Sequence, residues 1–201
     1  MLKARVAVLV SGGGTNFQAL LDAQKNGIIS SGEIALVISN KPGVYALERA
    51  KNAGVEGVVI NKKELGQEAF ETELIRLLEE KQIDLIVLAG FLCILTESFV
   101  SKYPNRILNI HPSLIPSFCG KGYYGLKVHE EALARGVKIT GATVHFVNEI
   151  PDGGEILIQK AVEIPEGINA SDLQKLVMEQ AEWIILPAGV EKVCAQIMQA
   201  R

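Results

Sequence analysis

Three polar residues of this sequence have the types and spacing needed to act together on a carbonyl group. Asn109 and His111 end an apolar run and stand two residues apart, so side-chain alternation places both on one face of a strand. Asp152 follows in Pro151-Asp152-Gly153-Gly154. If Asp152 reaches His111, its carboxylate favours the imidazolium and orients the ring, while Asn109 and His111 donate to a developing oxyanion. The natural reaction of such a group is acyl transfer.

Each of these residues also has a structural interpretation. An Asn and a His at a strand end often only complete hydrogen bonds of the fold, and Pro-Asp-Gly is an ordinary turn sequence. The separation along the chain does not decide whether Asp152 meets His111. We interpret His145, inside a strand-like run, as a structural histidine that holds neighbouring loops. His129, beside two glutamates on an amphipathic helix, is expected to be solvated.

A run of three glycines marks a second candidate site. The segment Ser11-Gly12-Gly13-Gly14-Thr15-Asn16, here called the glycine loop, follows a strand-like run and opens a helical pattern. Its free N–H groups and the positive end of the helix can hold an anion. Phe17 stands where a dinucleotide fingerprint requires glycine, and the loop lacks the Gly-Lys-Ser/Thr ending of a P-loop. We therefore expect a compact monophosphate, with a flexible turn as the alternative.

These candidate sites need a framework, and strand-like runs alternate with helical patterns along the first half of the chain. Five β-branched runs predict strands buried on both faces, at residues 5–10, 34–39, 56–60, 84–89 and 106–110. Helical spacing falls at residues 17–24, 44–53, 68–81 and 96–102. Strand followed by helix, repeated, predicts a parallel sheet with right-handed crossovers.

The pattern changes after Pro112. Two longer strand-like runs, 138–147 and 155–164, are joined by a hairpin-like segment, and residues 170–200 predict one or two helices broken near Pro187. The predicted fold class is therefore α/β. We expect a Rossmann-like open sheet, parallel in the N-terminal half and mixed in the C-terminal half, with helices on both faces.

Composition excludes several classes of protein. Of the 201 residues, 48% are hydrophobic and 21% are charged, which suits a single folded domain rather than a disordered chain. The net charge of −3 disfavours nucleic-acid binding. The apolar run at 6–10 is too short for a signal peptide or membrane span, so no membrane association is expected. Cys93, Cys119 and Cys194 form no C-x-x-C pair, which predicts neither disulfides nor a metal site and favours a cytoplasmic location.

Four motifs in their order along the chain resemble the glycinamide ribonucleotide transformylase family. They are the glycine loop, Ala89-Gly90-Phe91, Asn109-Ile110-His111-Pro112-Ser113-Leu114 and Asp152-Gly153-Gly154. The third motif alone indicates the wider formyltransferase superfamily, whereas the glycine loop points to the ribonucleotide. The resemblance spans nearly the whole chain and implies the formyltransferase fold, as a single domain over 1–201. Residues 1–105 would then form a phosphate-binding half, and residues 106–201 a catalytic and folate-binding half.

The resemblance implies transfer of the formyl group of 10-formyltetrahydrofolate to the amine of phosphoribosylglycinamide in purine synthesis. The substrates are small molecules, no metal is expected, and a monomer or homodimer is expected. Asn109, His111 and Asp152 would be catalytic, with His111 as an imidazolium and Asp152 relaying the amine's proton through water. The resemblance also implies that the phosphate is bound by Gly13, Gly14, Thr15 and Asn16, and that Glu182 contacts the ribose or glycinamide. The pterin would be lined by segments 92–95 and 148–152, and its implied contacts are Leu92, Cys93, Ile94, Leu95, Asn109 and Pro151.

Two positions depart from the family. Cys93 stands where family members often have Arg, and Gln67 aligns with a basic folate contact, so the donor's glutamate tail is expected to be held differently. Residues 117–124, here called the covering loop, contain glycines and aromatics suited to a mobile lid, and a plain surface loop is equally expected. Cys119 within it is expected to be exposed and is not predicted to be a nucleophile.

Three other functions stay open. Another folate-dependent formyltransferase, acting on methionyl-tRNA, should carry a basic RNA-binding extension, which this acidic sequence lacks. A formyltetrahydrofolate hydrolase is expected to have an additional N-terminal regulatory domain, whereas the catalytic pattern here starts at the first residues. A catalytically silent module that only holds a sugar phosphate or folate is disfavoured by the intact set of Asn109, His111 and Asp152.

Overall fold

A seven-stranded sheet forms the centre of the computed structural model, which describes residues 2–201. The strands, numbered in chain order, are β1 (Ala4–Val10), β2 (Gly32–Ser39), β3 (Glu56–Val59), β4 (Leu85–Leu88), β5 (Ile107–His111), β6 (Ile139–Phe146) and β7 (Ile156–Glu163). The helices are α1 (Thr15–Lys25), α2 (Tyr45–Ala53), α3 (Lys62–Glu80), α4 (Glu97–Val100), α5 (Leu126–Arg135), α6 (Ala170–Val177) and α7 (Trp183–Gln199). A π-helical turn, Met178–Glu182, lies between α6 and α7.

The strand order is β3-β2-β1-β4-β5-β6-β7. Strands β1 to β5 are parallel, and β6 and β7 pair antiparallel beside β5. The prediction of a parallel sheet that becomes mixed is confirmed. Parallel strands end at the same edge, so the segments that follow β1, β4 and β5 are neighbours there. The Ser11 N–H donates to the Gly90 carbonyl at 3.2 Å, which ties two of these segments together.

Two apolar layers cover the sheet. In β1, Val6 and Val8 pack into the layer formed with α1, α2, α6 and α7, while Ala7 and Leu9 pack into the layer formed with α3 and α4. The expectation that all five strand-like runs are buried on both faces is wrong for β3, where Glu56 and Val59 are exposed. β3 is one of the two edge strands of the sheet, so one of its sides has no neighbouring strand.

Helix α3 begins earlier than its apolar spacing predicts. The Asn61 side-chain oxygen accepts a hydrogen bond from the Lys63 N–H at 3.2 Å, which caps a first turn at Lys62. Gly66 then has φ 77° and separates this turn from the rest of the helix. The sequence pattern therefore identified only the second, amphipathic part.

The expected break of the C-terminal helical pattern near Pro187 does not occur. The pattern is interrupted instead at the π-helical turn. Pro187 lies inside α7. A proline lacks one N–H and crowds the carbonyl four residues earlier, which here belongs to Trp183 at the start of α7. The wide π-helical turn lies directly before Trp183, and the helix continues through Pro187.

Across residues 2–201, none of the helices is both long enough and apolar enough to cross a bilayer.

Candidate active site

Asn109 and His111 occupy the end of β5 and face β6. In this antiparallel pair Asn109 lies opposite His145 and His111 lies opposite Thr143. His111 is 4% exposed, while Asn109 is half-buried. The pairing with β6 brings the loop after β6 over the tip of β5, and Asp152 lies in that loop.

Asp152 meets both residues of the β5 tip. Its Oδ2 lies 3.5 Å from His111 Nδ1, and its Oδ1 accepts from Asn109 Nδ2 at 3.4 Å. His145 Nε2 lies 3.5 Å from Asp152 Oδ1 and 3.1 Å from Asn109 Nδ2. Asn109, His111 and Asp152, here called the strand-tip cluster, are thus brought together by the fold.

The two glycines after Asp152 let its loop return close to β6. A Cβ on Gly154 would lie 1.8 Å from the Phe146 carbonyl oxygen, which no side chain can occupy. Asp152 itself has φ 56°, a left-handed conformation that Asp tolerates better than most residues. The tight return aims the carboxylate at the strand tip instead of at solvent.

The covering loop already contacts the strand-tip cluster. The Phe118 carbonyl oxygen lies 2.9 Å from His111 Nε2, and the Gly120 N–H donates to Asp152 Oδ2 at 2.8 Å. Phe118 has φ 49°, a strained conformation for a bulky residue. In this conformation backbone groups of the covering loop occupy the hydrogen-bonding positions beside His111 Nε2 and Asp152 Oδ2.

The two ionisable groups of the cluster are shifted by their surroundings. Burial acts to raise the pKa of Asp152, but contacts with His145, His111 and the Gly120 N–H outweigh it and keep that pKa below its ordinary value. Burial lowers the pKa of His111, although Asp152 and the Phe118 carbonyl act to raise it. The expected imidazolium is therefore not favoured in this conformation, because burial outweighs the nearby carboxylate.

The glycine loop presents free backbone N–H groups. Gly14 has φ 72°, and a Cβ there would lie 2.7 Å from Ala46 Cβ, so only glycine fits between α1 and α2. Within residues 2–201, no backbone carbonyl accepts from the N–H groups of Gly13 or Gly14. Among the residues that the structure describes, 2–201, no side chain caps the start of α1 either. Free N–H groups of this kind at the start of a helix are suited to hold an anion.

Asn16 and Glu182 form a buried polar pair beside the loop. Asn16 Nδ2 donates to Glu182 Oε2 at 2.6 Å, while the Asn16 side-chain oxygen is buried and finds no hydrogen-bond partner within residues 2–201. Glu182 is 5% exposed, and burial raises its pKa to about 7 despite the hydrogen bond from Asn16. The Asn16 side chain is thus directed at Glu182, and its buried oxygen is left without a hydrogen-bond partner within residues 2–201. The exposed Thr15 hydroxyl lies 3.7 Å from Met178 Sδ.

The predicted pterin-binding segment, residues 92–95, is divided between surface and core. Leu92 and Ile94 are exposed, whereas Leu95 is buried in the apolar layer with α3. Cys93 Sγ accepts from Asn40 Nδ2 at 2.9 Å. Pro151, in the loop that carries Asp152, is exposed.

Gln67 supports this segment from α3. Its Nε2 donates to the Ile94 carbonyl at 3.2 Å and to Glu71 Oε1 at 2.7 Å.

His129 differs from its prediction. It is fully buried, and neither ring nitrogen has a partner within residues 2–201, so the expectation of a solvated residue is wrong. It lies on the face of α5 that also buries Val128 and Ala132, and this spacing was the overlooked signal. Burial, together with the nearby His111, lowers its pKa to about 4.

His145 and Cys119 occupy the surroundings of the strand-tip cluster. His145 Nδ1 lies 2.8 Å from the Phe146 carbonyl, which fixes its ring against Asn109 and Asp152. Cys119 is only partly exposed, and burial together with Asp152 raises its pKa. A raised thiol pKa disfavours the nucleophilic thiolate.

A family model described as formyl transferase matches residues 4–189. The chain belongs to the formyl transferase family. It is 44% identical over 198 residues to the trifunctional purine biosynthetic protein adenosine-3 of Homo sapiens, a match that covers 98% of this chain and 19% of that protein. The chain thus spans about a fifth of the length of this relative. It is 37% identical over 180 residues to the chloroplastic phosphoribosylglycinamide formyltransferase of Arabidopsis thaliana, covering 89% of this chain and 61% of that protein.

Solved structures agree with this membership. The crystal structure of glycinamide ribonucleotide transformylase 1 from Symbiobacterium toebii matches with a TM-score of 0.89 and 38% identity, over 96% of this chain and 89% of that one. The α/β formyltransferase fold expected from the sequence is confirmed.

Sequence reasoning missed Arg49 of α2. Its Nε donates to the Gly13 carbonyl at 2.8 Å, which places a cation against the glycine loop. No local motif identifies it, because the contact depends on how α2 packs against α1.

Proposed function

We propose that this chain transfers the formyl group of 10-formyltetrahydrofolate to the amine of phosphoribosylglycinamide, a step of purine (IMP) biosynthesis. The products are formylglycinamide ribonucleotide and tetrahydrofolate. The observation that carries the proposal is the meeting of Asn109, His111 and Asp152 at the sheet edge that also bears the glycine loop. Family membership and the names of the similar proteins support the same reaction.

The chemistry follows from the groups at the strand tip. The glycinamide amine attacks the formyl carbon, and the resulting oxyanion accepts hydrogen bonds from His111 Nε2 and Asn109 Nδ2. Negative charge on that oxygen favours the protonated form of His111, which burial otherwise disfavours. Asp152, ionised because of its lowered pKa, takes the proton that the amine loses, through water, and returns it to the departing folate nitrogen.

Both substrates would bind along the same edge of the sheet. Gly13, Gly14, Thr15 and the Asn16 N–H would hold the phosphate, while the Asn16 side-chain oxygen and Glu182 would meet ribose hydroxyls. Exposed Leu92, Ile94 and Pro151 offer apolar surface to the pterin. The covering loop must exchange its contacts with His111 and Asp152 for substrate contacts, so it acts as a lid.

The test is formyl transfer by the purified chain. Phosphoribosylglycinamide and 10-formyltetrahydrofolate are mixed with the protein, and tetrahydrofolate release and formylated product are measured together. Equal amounts of both are expected. Glycinamide riboside, which lacks the phosphate, is the control acceptor and should react much more slowly.

The alternatives give different results in this assay. A hydrolase would release formate and tetrahydrofolate without the acceptor. A silent binding module would bind the ribonucleotide in a calorimetric titration without turnover. Either result would overturn the proposal.

A further inference from the structure

The glycine loop rests on α2 through its carbonyl groups. The Ala46 N–H donates to the Gly12 carbonyl at 3.3 Å, and Arg49 Nε donates to the Gly13 carbonyl at 2.8 Å. In a trans peptide the C=O and the following N–H point in opposite directions. The N–H groups of Gly13 and Gly14 therefore point away from α2. A Cβ on Gly13 would meet no atom within 4 Å, so space beside the loop is open.

Arg49 is held in place by three contacts. Besides the Gly13 carbonyl, its Nη1 donates to Gln18 Oε1 at 3.0 Å, and its guanidinium lies 4.9 Å from the centroid of the Tyr45 ring. Gln18 in turn donates to Asp22 at 3.0 Å. A planar guanidinium with several fixed donors can hold a carbonyl and an amide at once, which an ammonium group cannot do in the same geometry.

The charge of Arg49 is not neutralised locally. In the part of the chain that the structure describes, no carboxylate lies within 4.0 Å of its guanidinium, in contrast to Arg76, which pairs with Glu73 and Glu80. A cation left without a carboxylate beside a cluster of free N–H groups favours a dianion. The same cation would favour an uncharged hydroxyl much less.

We infer that Arg49 is a positioning residue that determines the preference for the phosphorylated acceptor. It keeps the Gly13 carbonyl turned toward α2, so that the Gly14 N–H faces the phosphate, and it adds positive potential at the loop. This role rests on the proposed function. Without Arg49 the peptide between Gly13 and Gly14, flanked by flexible glycines, is free to rotate and present its carbonyl oxygen to the anion.

The test compares phosphorylated and unphosphorylated acceptors. Arg49→Ala should raise the KM for phosphoribosylglycinamide about tenfold, with kcat and the KM for 10-formyltetrahydrofolate little changed. The kcat/KM for glycinamide riboside should stay at the wild-type value, so the preference for phosphate falls about tenfold. Arg49→Lys, which keeps the charge, should give an intermediate KM. Arg76→Ala is the matched control and should leave the preference unchanged.

Two results would overturn the inference. One is a phosphate preference that Arg49→Ala leaves intact. The other is an equal loss with both acceptors, which indicates a merely structural role. If Arg49→Ala does not fold, the Arg49→Lys comparison decides, and an unchanged preference there overturns the inference.

Binding measurements distinguish a failure of this inference from a failure of the proposed function. If the wild-type chain proves inactive, the proposed function fails, and titration with ribose 5-phosphate and ribose still tests Arg49. Weaker binding of ribose 5-phosphate to Arg49→Ala, with ribose unaffected, supports the inference. Equal binding of ribose 5-phosphate to both proteins overturns it.

Discussion

The glycine loop and the strand-tip cluster lie on one edge of the sheet but present their polar groups differently. Within the described residues 2–201, the N–H groups of Gly13 and Gly14 in the glycine loop have no backbone partner, and the carbonyls of Gly12 and Gly13 accept hydrogen bonds from α2. The strand-tip cluster consists of side chains, and two of its atoms already bind the backbone of residues 118 and 120. The proposed phosphate site is therefore preformed, whereas the covering loop must change its contacts before a substrate can reach the proposed catalytic groups.

A similar contrast holds for the buried carboxyl groups of the two regions. Glu182 receives one hydrogen bond, from Asn16, and its pKa rises to about 7. Asp152 is contacted by two histidines, an asparagine and an N–H, and its pKa falls despite burial. Burial alone does not determine the charge of a carboxyl group. Burial, nearby charges and the hydrogen-bond donors that contact the group determine it together.

The largest effect is expected at Asp152. Asp152→Asn should lower kcat about 10³-fold while the KM for the ribonucleotide changes by less than about threefold, because the lost interaction belongs to the transition state. Steady-state kinetics on both substrates measures this. Asp172→Asn on the exposed side of α6 is the control. Near-normal turnover by Asp152→Asn would show that Asp152 is not a catalytic residue.

Glu182 provides a test through protein stability. Its native pKa of about 7 exceeds the ordinary 4.5, so between these values the folded chain holds a proton that the unfolded chain releases. The stabilisation is present below pH 4.5 and is lost as the pH rises through 7. Glu182→Gln removes this dependence and should be more stable than wild type above pH 7 by on the order of 3 kcal/mol.

Denaturant unfolding at acidic, neutral and alkaline pH measures this difference. Glu179→Gln, exposed in the same π-helical turn, is the matched control. A difference between Glu182→Gln and wild type that does not vary with pH would contradict the expectation.

The pKa of His129, which is lowered in part by His111 of the strand-tip cluster, gives a second test through protein stability. Its native pKa of about 4 lies below the ordinary 6.5, so the unfolded chain binds a proton first and stability is lost as the pH falls from 6.5 to 4. His129→Leu should be more stable than wild type by on the order of 3 kcal/mol at low pH. At pH 8 it should lose little, because the ring nitrogens make no hydrogen bond within residues 2–201. A large loss of stability of His129→Leu at pH 8, measured by denaturant unfolding, would contradict this expectation.

Substitutions at Gly13 and Gly14 should have different effects, one on ribonucleotide binding and the other on the stability of the folded chain. Gly13→Val places a side chain in the open space beside the loop and should raise the ribonucleotide KM by about tenfold with an unchanged melting temperature. Gly14→Ala should destabilise the chain by about 1 to 2 kcal/mol, because of φ 72° and the contact with Ala46. Kinetics and thermal unfolding of both variants check this. An unchanged KM in Gly13→Val would mean that the loop is only a turn.

Several features were predictable from local signals. The alternating β-branched runs and helical spacing indicate the parallel half of the sheet, and the hairpin-like segment indicates its mixed half. The edge exposure of β3 and the π-helical turn before Trp183 were not predictable in this way, because they depend on strand order and tertiary packing. The turn at Lys62 was missed although its Asn61 cap is a local signal. His129 was misread because its acidic neighbours point away from the core.

The sequence by itself determined the alternation of strands and helices, the positions of the glycine loop and of Asn109 and His111 at strand ends, and the family resemblance, since these follow from periodicity and local motifs. Only the tertiary structure decided that Asp152 faces His111, that the covering loop binds both, and that Arg49 supports Gly13. These contacts join residues far apart along the chain, and burial, which sets the charges of His111 and Glu182, exists only once the chain has folded.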